Sequence, residues 1–414
     1  MKFAKVFQQV LNEDHVPEEW IERAIQYKKL KKRINKVVEE LASIGVDQSN
    51  VQMSYEFAVE DGQVRPKLKM VITPLLKELI VSKLEGDERY MYEVEKLQVD
   101  GSDNESVYTA VNPFDDEKAY YAITISLVED TKFFQILYEE IEGLREFKEA
   151  EEKEITDKVE DIASNVATVT VPNMKKNDLY VWREIFQKYI EAEIFFSTIE
   201  RNAGRIDINV SKERFFKFMN LINTSGILAK FKRSSSILAF DEFKKVNFEM
   251  LKFSNYENFN NLAVRKILKK FDKQTQLVAK EKFPLVINQR DETLLNLSVA
   301  KDVCFIISNK LLTIIPQIDD YLCPICCSIA FKPIRLECGH LFCIRCLVKL
   351  RRAHEDKCPL CRTECLLSLT VDHLDSAQMN YMKMYFPKEV REKEAADDRE
   401  RVREQYGDQK CVVM

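Results

Sequence analysis

Glycine is scarce in this chain, nine residues in 414, and so are tryptophan (two) and histidine (four). So little glycine argues against a loop-rich or all-β fold, whose turns and bulges would call for it. No apolar run approaches the roughly 18 residues that a membrane span requires. Charge of neither sign dominates: 63 basic residues face 68 acidic ones, a net charge of -5, which disfavours a nucleic-acid-binding protein as a whole. The opening Met1-Lys2-Phe3-Ala4-Lys5 lacks the apolar stretch of a secretory signal, so a reducing compartment is expected. There is no Ser-His-Asp set, P-loop or dinucleotide fingerprint, and nucleophilic catalysis by the chain itself has little support. What the chain has in plenty is charge, 32% of its residues, set on long segments of helical periodicity. A length of 414 residues allows two or three domains.

Eight residues of zinc-ligand type lie between Cys323 and Cys361, and their spacing is regular. The order is Cys323-x2-Cys326, then Cys338-x-His340-x2-Cys343-x2-Cys346, then Cys358-x2-Cys361. A Cys-x2-Cys pair on a tight turn supplies two of the four ligands of a tetrahedral zinc. Eight ligands therefore close two ions with no open position for water, which predicts structural metal and not a metallohydrolase. A disulfide scaffold fits poorly, because the ligand cysteines are crowded into one short stretch of a chain with no secretory signal. Cys327, His354 and Cys365 are surplus to this set, and His15 and His373 have no partner at a telling spacing.

This pattern resembles the RING finger. The resemblance implies a cross-brace, in which Cys323, Cys326, Cys343 and Cys346 hold one zinc and Cys338, His340, Cys358 and Cys361 the other. It also implies that Ile325, Leu350, Pro359 and the adjoining Leu360 form a shallow apolar groove for a ubiquitin-conjugating enzyme. Arg362 stands where the family's linchpin arginine bridges that enzyme and its ubiquitin, a task suited to a planar cation. Leu350 departs from the tryptophan that many relatives carry. Read singly, Ile325 and Leu350 would be small-core residues and Arg362 a solvated charge.

Along the rest of the chain, apolar residues recur at helical spacing from Pro17 to Leu41. Tyr55–Val59 with Asp61-Gly62, and Tyr120–Val128, read as strands with a turn, and Asp100–Asp116 as an acidic loop. Helices are expected over Lys132–Ile155, Asp178–Ile199, Lys212–Leu221, Asp241–Phe253, Tyr256–Lys280 and Asp291–Ile314, and again over Ser376–Tyr385. Pro387–Gly407 is a mixed-charge segment, either a solvated helix or disordered.

Two segments break the even charge balance. Arg23, Lys28, Lys29, Lys31, Lys32, Arg33 and Lys36 form one basic run, and Arg265, Lys266, Lys269, Lys270 and Lys273 another. On the second, Val264, Ile267, Leu268 and Phe271 share one helix face and the lysines the opposite one. Each alone reads as a solvated face, but like charges this dense repel, and a polyanion would relieve them.

Met1-Lys2-Phe3, Tyr27-x3-Lys31-Lys32, the Phe133-Phe134 to Phe147 helix and the Arg265–Lys273 run together resemble the SPX domain. The likeness covers residues 1 to about 280, with an insertion at about 50–128 that many such domains lack. It implies a helical bundle that binds inositol polyphosphates and pyrophosphates. Tyr27, Lys31 and Lys270 would hold one phosphate group, Lys266, Lys269 and Lys273 would form the adjoining lysine surface, and Lys2 would lie close by. Ala4 replaces a glycine common in the family. An SPX domain followed by a RING is the arrangement of plant and fungal ligases that act on phosphate transporters.

The final Cys411-Val412-Val413-Met414 is a C-a-a-X sequence of the farnesylated type, with no polybasic neighbour. The expected protein is mainly α: an SPX bundle over 1–315 with a small β-containing insertion, a RING over 320–366, and a helical, charged tail over 367–414. Its expected function is that of a cytoplasmic RING-type ubiquitin ligase with two structural zinc ions, a conjugating enzyme as partner and phosphate transporters among its substrates. Inositol pyrophosphates would be its ligands and a farnesyl group its peripheral membrane attachment. The competing readings are a non-catalytic phosphate-sensing scaffold and a nucleic-acid-binding zinc protein, the latter disfavoured by the acidic balance.

Overall fold

The computed structural model describes residues 3, 17–46, 51–60, 62–85, 87–97, 120–195, 207–288 and 305–406. The described chain is mainly α and falls into two compact units. The first holds residues 1–156 and 247–303, the second 157–246 and 304–414. Among the described residues no helix is long and apolar enough to cross a membrane.

In the first unit, α1 (Glu18–Arg23) and α2 (Tyr27–Ile44) stand where one continuous helix is expected. The chain turns extended at Ala24, and the backbone N–H groups this frees are bonded by distant side chains. Asn260 Oδ1 accepts from Ile25 at 2.9 Å and Glu140 Oε2 from Gln26 at 3.0 Å. Local periodicity cannot register such partners, 235 and 114 residues away. Gly45, at φ 81°, ends α2 in the left-handed conformation that glycine adopts without strain.

The insertion builds an antiparallel sheet of order β1-β2-β4-β3, from β1 (Gln52–Glu60), β2 (Gln63–Ile72), β3 (Met91–Leu97) and β4 (Tyr120–Ser126). Between β2 and β3 lies α3 (Pro74–Leu84). Neither α3 nor β3 is marked by the sequence pattern, and the Asp100–Asp116 loop lies outside the described residues. The register Glu60↔Gln63 fixes a two-residue hairpin loop. Pro66 is tolerated in β2 because β4 pairs only from Leu68 onwards, so no ladder bond is lost on that side.

The long helix α4 (Val128–Val169) extends well beyond the expected Lys132–Ile155. Its first N–H groups, those of Val128 and Glu129, donate to the buried Glu40 carboxylate at 2.9 and 2.7 Å. The sheet is fastened to this helix by aromatic packing, with Phe57 4.8 Å and Tyr55 5.6 Å from Phe134 between ring centroids. Phe134 in turn meets Phe271 of α7 (Ser234–Thr275) and Phe283 of α8 (Ala279–Asn288) at 5.0 Å.

Helix α7 is one 42-residue helix where two, Asp241–Phe253 and Tyr256–Lys280, are expected. Ser254 and Asn255 suit a break locally, but Phe253 and Tyr256 both pack on Trp20, at 5.1 and 5.4 Å, and only a continuous helix presents them together. The helix stops at Thr275, before Gln276 at φ 57°.

The second unit contains the end of α4, the start of α7, α5 (Leu179–Ala192) and α6 (Ile208–Thr224). Its helical core centres on Trp182, Phe186, Tyr189, Phe218 and Phe243. The buried Asp178 accepts from Ser236 Oγ at 2.6 Å and from the Lys232 N–H at 2.8 Å. Of the expected Asp291–Ile314 helix, only residues 305–314 are described; after two α-helical residues they form a π turn (Ile307–Leu311) and a 3-10 turn (Leu312–Ile314). Then come β5 (Pro333–Arg335), β6 (Leu341–Cys343), α9 (Ile344–Arg352), α10 (Ser376–Tyr385) and α11 (Pro387–Tyr406), which resolves the mixed-charge segment as a helix. Ile329 and Phe331 share a core with Met382 of α10, Val390 of α11 and Phe386 between the two helices.

One buried acid marks the sheet–helix contact in the first unit. Asp130 accepts from Tyr55 Oη at 2.9 Å and has no exposed surface. Desolvation, and then the Glu40 charge, raise its pKa well above the usual carboxylate range, against the opposing Tyr55 hydrogen bond. Unfolded, it titrates at about 3.9. A raised folded pKa means that its contribution to stability is whole below that value and is lost as pH rises through the folded pKa. Asp130→Asn still accepts from Tyr55 but cannot ionise. Its melting temperature should therefore fall less than the wild type's between about pH 5 and about pH 8, and parallel melting curves would place the titration elsewhere.

Candidate functional site

Two knuckles of the same construction carry half of the zinc-type ligands. In Cys323-Pro324-Ile325-Cys326, the Cys327 N–H returns to the Cys323 carbonyl at 2.8 Å; in Cys358-Pro359-Leu360-Cys361, the Arg362 N–H returns to the Cys358 carbonyl at 2.8 Å. Cys327 and Arg362 each close their turn with a positive φ, 51° and 63°. That conformation is uncommon for a side-chain-bearing residue and over-determined here by the turn. The bridges Leu322↔Ile329 and Lys357↔Glu364 brace the two knuckles at matching positions. Cys327, surplus by spacing, is therefore the structural counterpart of Arg362.

The β5–β6 hairpin presents Cys338 and His340, with Gly339 at φ 84° where its loop turns. Cys343 and Cys346 lie at the start of α9. Folding gathers the ligands into two sets: Cys323, Cys326, Cys343 and Cys346, and Cys338, His340, Cys358 and Cys361. Within each set all ligand atoms lie within 4.8 Å of one another. Chain neighbours are thus separated and distant pairs joined, which is a cross-brace.

The donor chemistry suits zinc. A tetrahedron with Zn–S bonds of about 2.3 Å has edges of about 3.8 Å, and Cys326 Sγ and Cys343 Sγ are 3.8 Å apart. His340 turns Nδ1 inward, 3.4 Å from Cys338 Sγ and 3.7 Å from Cys358 Sγ. Sulfurs so close cannot all ionise unaided. A hydrogen bond from the Cys343 thiol draws Cys323 down to about 4, while that same bond pushes Cys343 up. Cys361 is drawn down to about 6 by the Thr363 hydroxyl and backbone N–H. Cys365, which spacing leaves aside, is buried with its Sγ 3.9 Å from Cys338 Sγ.

Of the residues expected to meet a conjugating enzyme, Ile325 is 41% exposed, and Pro359 and Arg362 are also exposed. Leu360, the counterpart of Ile325 on the second knuckle, is 54% exposed. Leu350 is half-buried against the small core formed by Leu336, Phe342, Leu347 and Leu366.

The basic runs lie in the first unit. On α7, Val264, Ile267, Leu268 and Phe271 are buried, while Lys266, Lys269 and Lys273 are exposed and Lys270 is half-buried. Burial, then the charges of Lys31 and Lys273, lower the pKa of Lys270, so the structure brings Lys31 of α2 beside the α7 lysines. Among the described residues, none of Lys31, Lys266, Lys269, Lys270 and Lys273 has an acidic partner, whereas Arg33 is paired with Glu129 at 2.6 Å and Arg23 with Glu19 at 3.8 Å. Tyr27 opens α2 with its ring edge-on to Phe3, at 5.0 Å, and Lys266 Nζ lies 4.4 Å over the Phe3 ring. Phe3 is thus a contact of both Tyr27 and Lys266 that charge pattern does not pick out. Lys2, Ala4 and Cys411 lie outside the described residues.

Comparison with known proteins agrees with this anatomy. The family described as SPX domain matches residues 1–287, and that described as zinc finger, C3HC4 type (RING finger), matches 323–361. A Candida albicans protein named transcriptional regulator of yeast form adherence 3 is 34% identical, with all of each chain covered. An uncharacterized RING finger protein of Schizosaccharomyces pombe is 30% identical, again over the whole of both chains. The probable E3 ubiquitin-protein ligase BAH1-like 1 of rice is 27% identical over 48% of this chain and 72% of its own. No solved structure matches.

Metal binding of this kind is coupled to folding. Cys323→Ser and His340→Ala should each lower the metal content below two zinc ions per chain. Each should also abolish amide-exchange protection over 320–366 while the Trp182 core of the second unit keeps its own. Well-folded wild-type protein with one zinc or none would overturn this.

Proposed function

Because the chain belongs to the SPX-domain family and carries a C3HC4 RING finger after that domain, we propose that it is a RING-type ubiquitin ligase whose SPX domain answers to inositol polyphosphates. The observation that carries the ligase reading is the outward face of the two knuckles. Ile325 and Leu360, at matching positions, expose apolar surface, and Arg362 stands exposed directly after the last ligand. Apolar residues held exposed on metal-braced turns suit a partner's surface.

In this reading the chain supplies no nucleophile. Ile325, Leu350, Pro359 and Leu360 seat a ubiquitin-conjugating enzyme, and Arg362 reaches both that enzyme and its ubiquitin with a planar, multi-donor cation. Restricting the thioester to attack-ready geometries lowers the barrier for a substrate lysine without a covalent step on this chain. The metal clusters supply rigidity, since the knuckles hold Ile325 and Arg362 in place.

The regulatory half of the proposal rests on the lysines beside Tyr27 that, among the described residues, have no acidic partner. Several cations on two helices, with a hydroxyl among them, suit a multiply phosphorylated ring better than a single phosphate. Phosphate transporters are the proposed substrates. The protein would act in the cytoplasm, with a peripheral membrane pool held by a farnesyl group on Cys411; one lipid without a polybasic patch gives only marginal, reversible attachment.

Two measurements test the proposal. Ile325→Ala should weaken binding of the conjugating enzyme on the order of tenfold, and Arg362→Ala should slow discharge of its thioester more than it weakens binding. Transfer no faster with the wild-type chain than with the conjugating enzyme alone would leave the RING as a contact module of a scaffold, and full transfer by both variants would move the conjugating-enzyme contact off this face. By calorimetry, a Lys31→Ala, Lys270→Ala double variant should lose inositol hexakisphosphate binding by a factor of ten or more, and binding to wild type should weaken as salt rises. Unchanged affinity would move the ligand site away from α2 and α7.

A further inference from the structure

The face that α11 turns to the RING is polar along most of its length. Val390, Lys393, Asp397, Glu400 and Glu404 recur every three or four residues, so they lie along one side of the helix. Val390 closes the core shared with Ile329 and Phe331 at one end. At the other, Glu400 accepts from Arg345 of α9 at 3.0 Å and pairs with Lys349, while Glu404 pairs with Arg345 and, at 2.6 Å, with Arg352.

Lys393 lies between these two anchors. Its side chain is only 9% exposed, its Nζ is 2.9 Å from Asp397 Oδ1, and on its other side it is 3.6 Å from Cys326 Sγ. Burying an ammonium is costly unless anionic groups surround it. Asp397 is one such group, and the sulfur of a metal ligand is the second. Cys326 is the most exposed member of its four-sulfur set, so it is the ligand that water and competing chelators reach first. Ser328 Oγ, at 3.1 Å, is a second donor to the same sulfur.

We propose that Lys393 is a positioning residue of the first metal cluster, donating an N–H···S hydrogen bond to the Cys326 thiolate and so retaining the metal. Four thiolates on one divalent cation leave two negative charges in excess, and a neighbouring ammonium offsets part of that excess. A sulfur lone pair engaged by N–H is also less nucleophilic, so ligand exchange at Cys326 is slowed. Donors around a metal's ligands orient and tune them in this way. The metal-retaining unit of the second half of the chain would then extend to α11, well beyond the 323–361 stretch that matches the RING family. The proposal rests on zinc occupying the four-cysteine cluster.

The test uses the full chain with Lys393→Met, which keeps the aliphatic stem and removes the donor, and Lys393→Arg, which restores a donor. Zinc content is measured first: two equivalents in the wild type establish the metal reading, and none would overturn that reading together with the proposal. Zinc transfer to an excess of a chromogenic chelator should then be faster from Lys393→Met, by a factor of about ten, and close to wild type from Lys393→Arg. After cobalt(II) exchange, the thiolate-to-metal charge-transfer band should move to longer wavelength in Lys393→Met alone, because a sulfur without its N–H bond gives up an electron more readily. Equal release rates in the Met variant and the wild type would overturn the proposal. So would faster release with an unmoved band, which would give Lys393 a packing role only.

Discussion

Both candidate sites hold like charges together against their mutual repulsion, and packing at a distance from the charges is what allows it. On α7 the lysines stand on a helix whose opposite face, Val264, Ile267, Leu268 and Phe271, is fully buried, so the helix cannot turn to spread them. In the metal clusters, knuckle turns and the β5–β6 hairpin set sulfurs as close as 3.8 Å. Each arrangement is electrostatically incomplete by itself: the sulfurs call for a cation, the lysines for a polyanion. In the proposed reading, ligand preference in both cases follows from rigidity, because a flexible surface would relax by moving its charges apart.

The RING is a small domain with little apolar interior, and metal ligation compensates for that. Its anchoring within the second unit is of a different kind. Arg183 of α5 is 6% exposed and donates to the Pro316 carbonyl at 3.0 Å and to the Tyr385 carbonyl at 2.9 Å. Its guanidinium also lies 4.2 Å over the Phe386 ring, and Tyr180, one turn earlier, donates to Glu389 at 2.7 Å. One arginine thus ties the segment that leads into the RING and the helix that follows it to the same helix of the bundle. A guanidinium can do this because its donors fan out in a plane while its face stacks on an aromatic ring, which a lysine cannot match.

Ligand identity is legible in the sequence because metal coordination is almost context-free. Cys-x2-Cys at these spacings specifies a knuckle whatever surrounds it, and the resemblance to the RING finger implies how the two sets interleave. The α7 lysines are legible for a similar reason: an apolar stripe at helical spacing predicts which face is buried, and so which face carries the charge. The strands Tyr55–Val59 and Tyr120–Val128 show in their β-branched and aromatic content. The break at Ala24–Gln26, the unbroken run of α7 past Ser254 and Asn255, and the sheet members α3 and β3 do not, since each is settled by partners far along the chain.

Residue order alone settles much of the chemistry: which residues are of metal-ligand type, which face of α7 is cationic, and that the chain is built mostly of helices. What the charged residues of α11 are for emerges only on folding. As a string, Pro387–Gly407 is a mixed-charge segment, either a solvated helix or disordered, because no apolar stripe runs along it. Folded, its Glu400 and Glu404 meet Arg345, Lys349 and Arg352, each charge matched by one of opposite sign, and its Lys393 approaches Cys326 Sγ. Apolar burial leaves a periodic signature in a single segment, whereas charge complementarity belongs to two segments at once and becomes visible only when they meet.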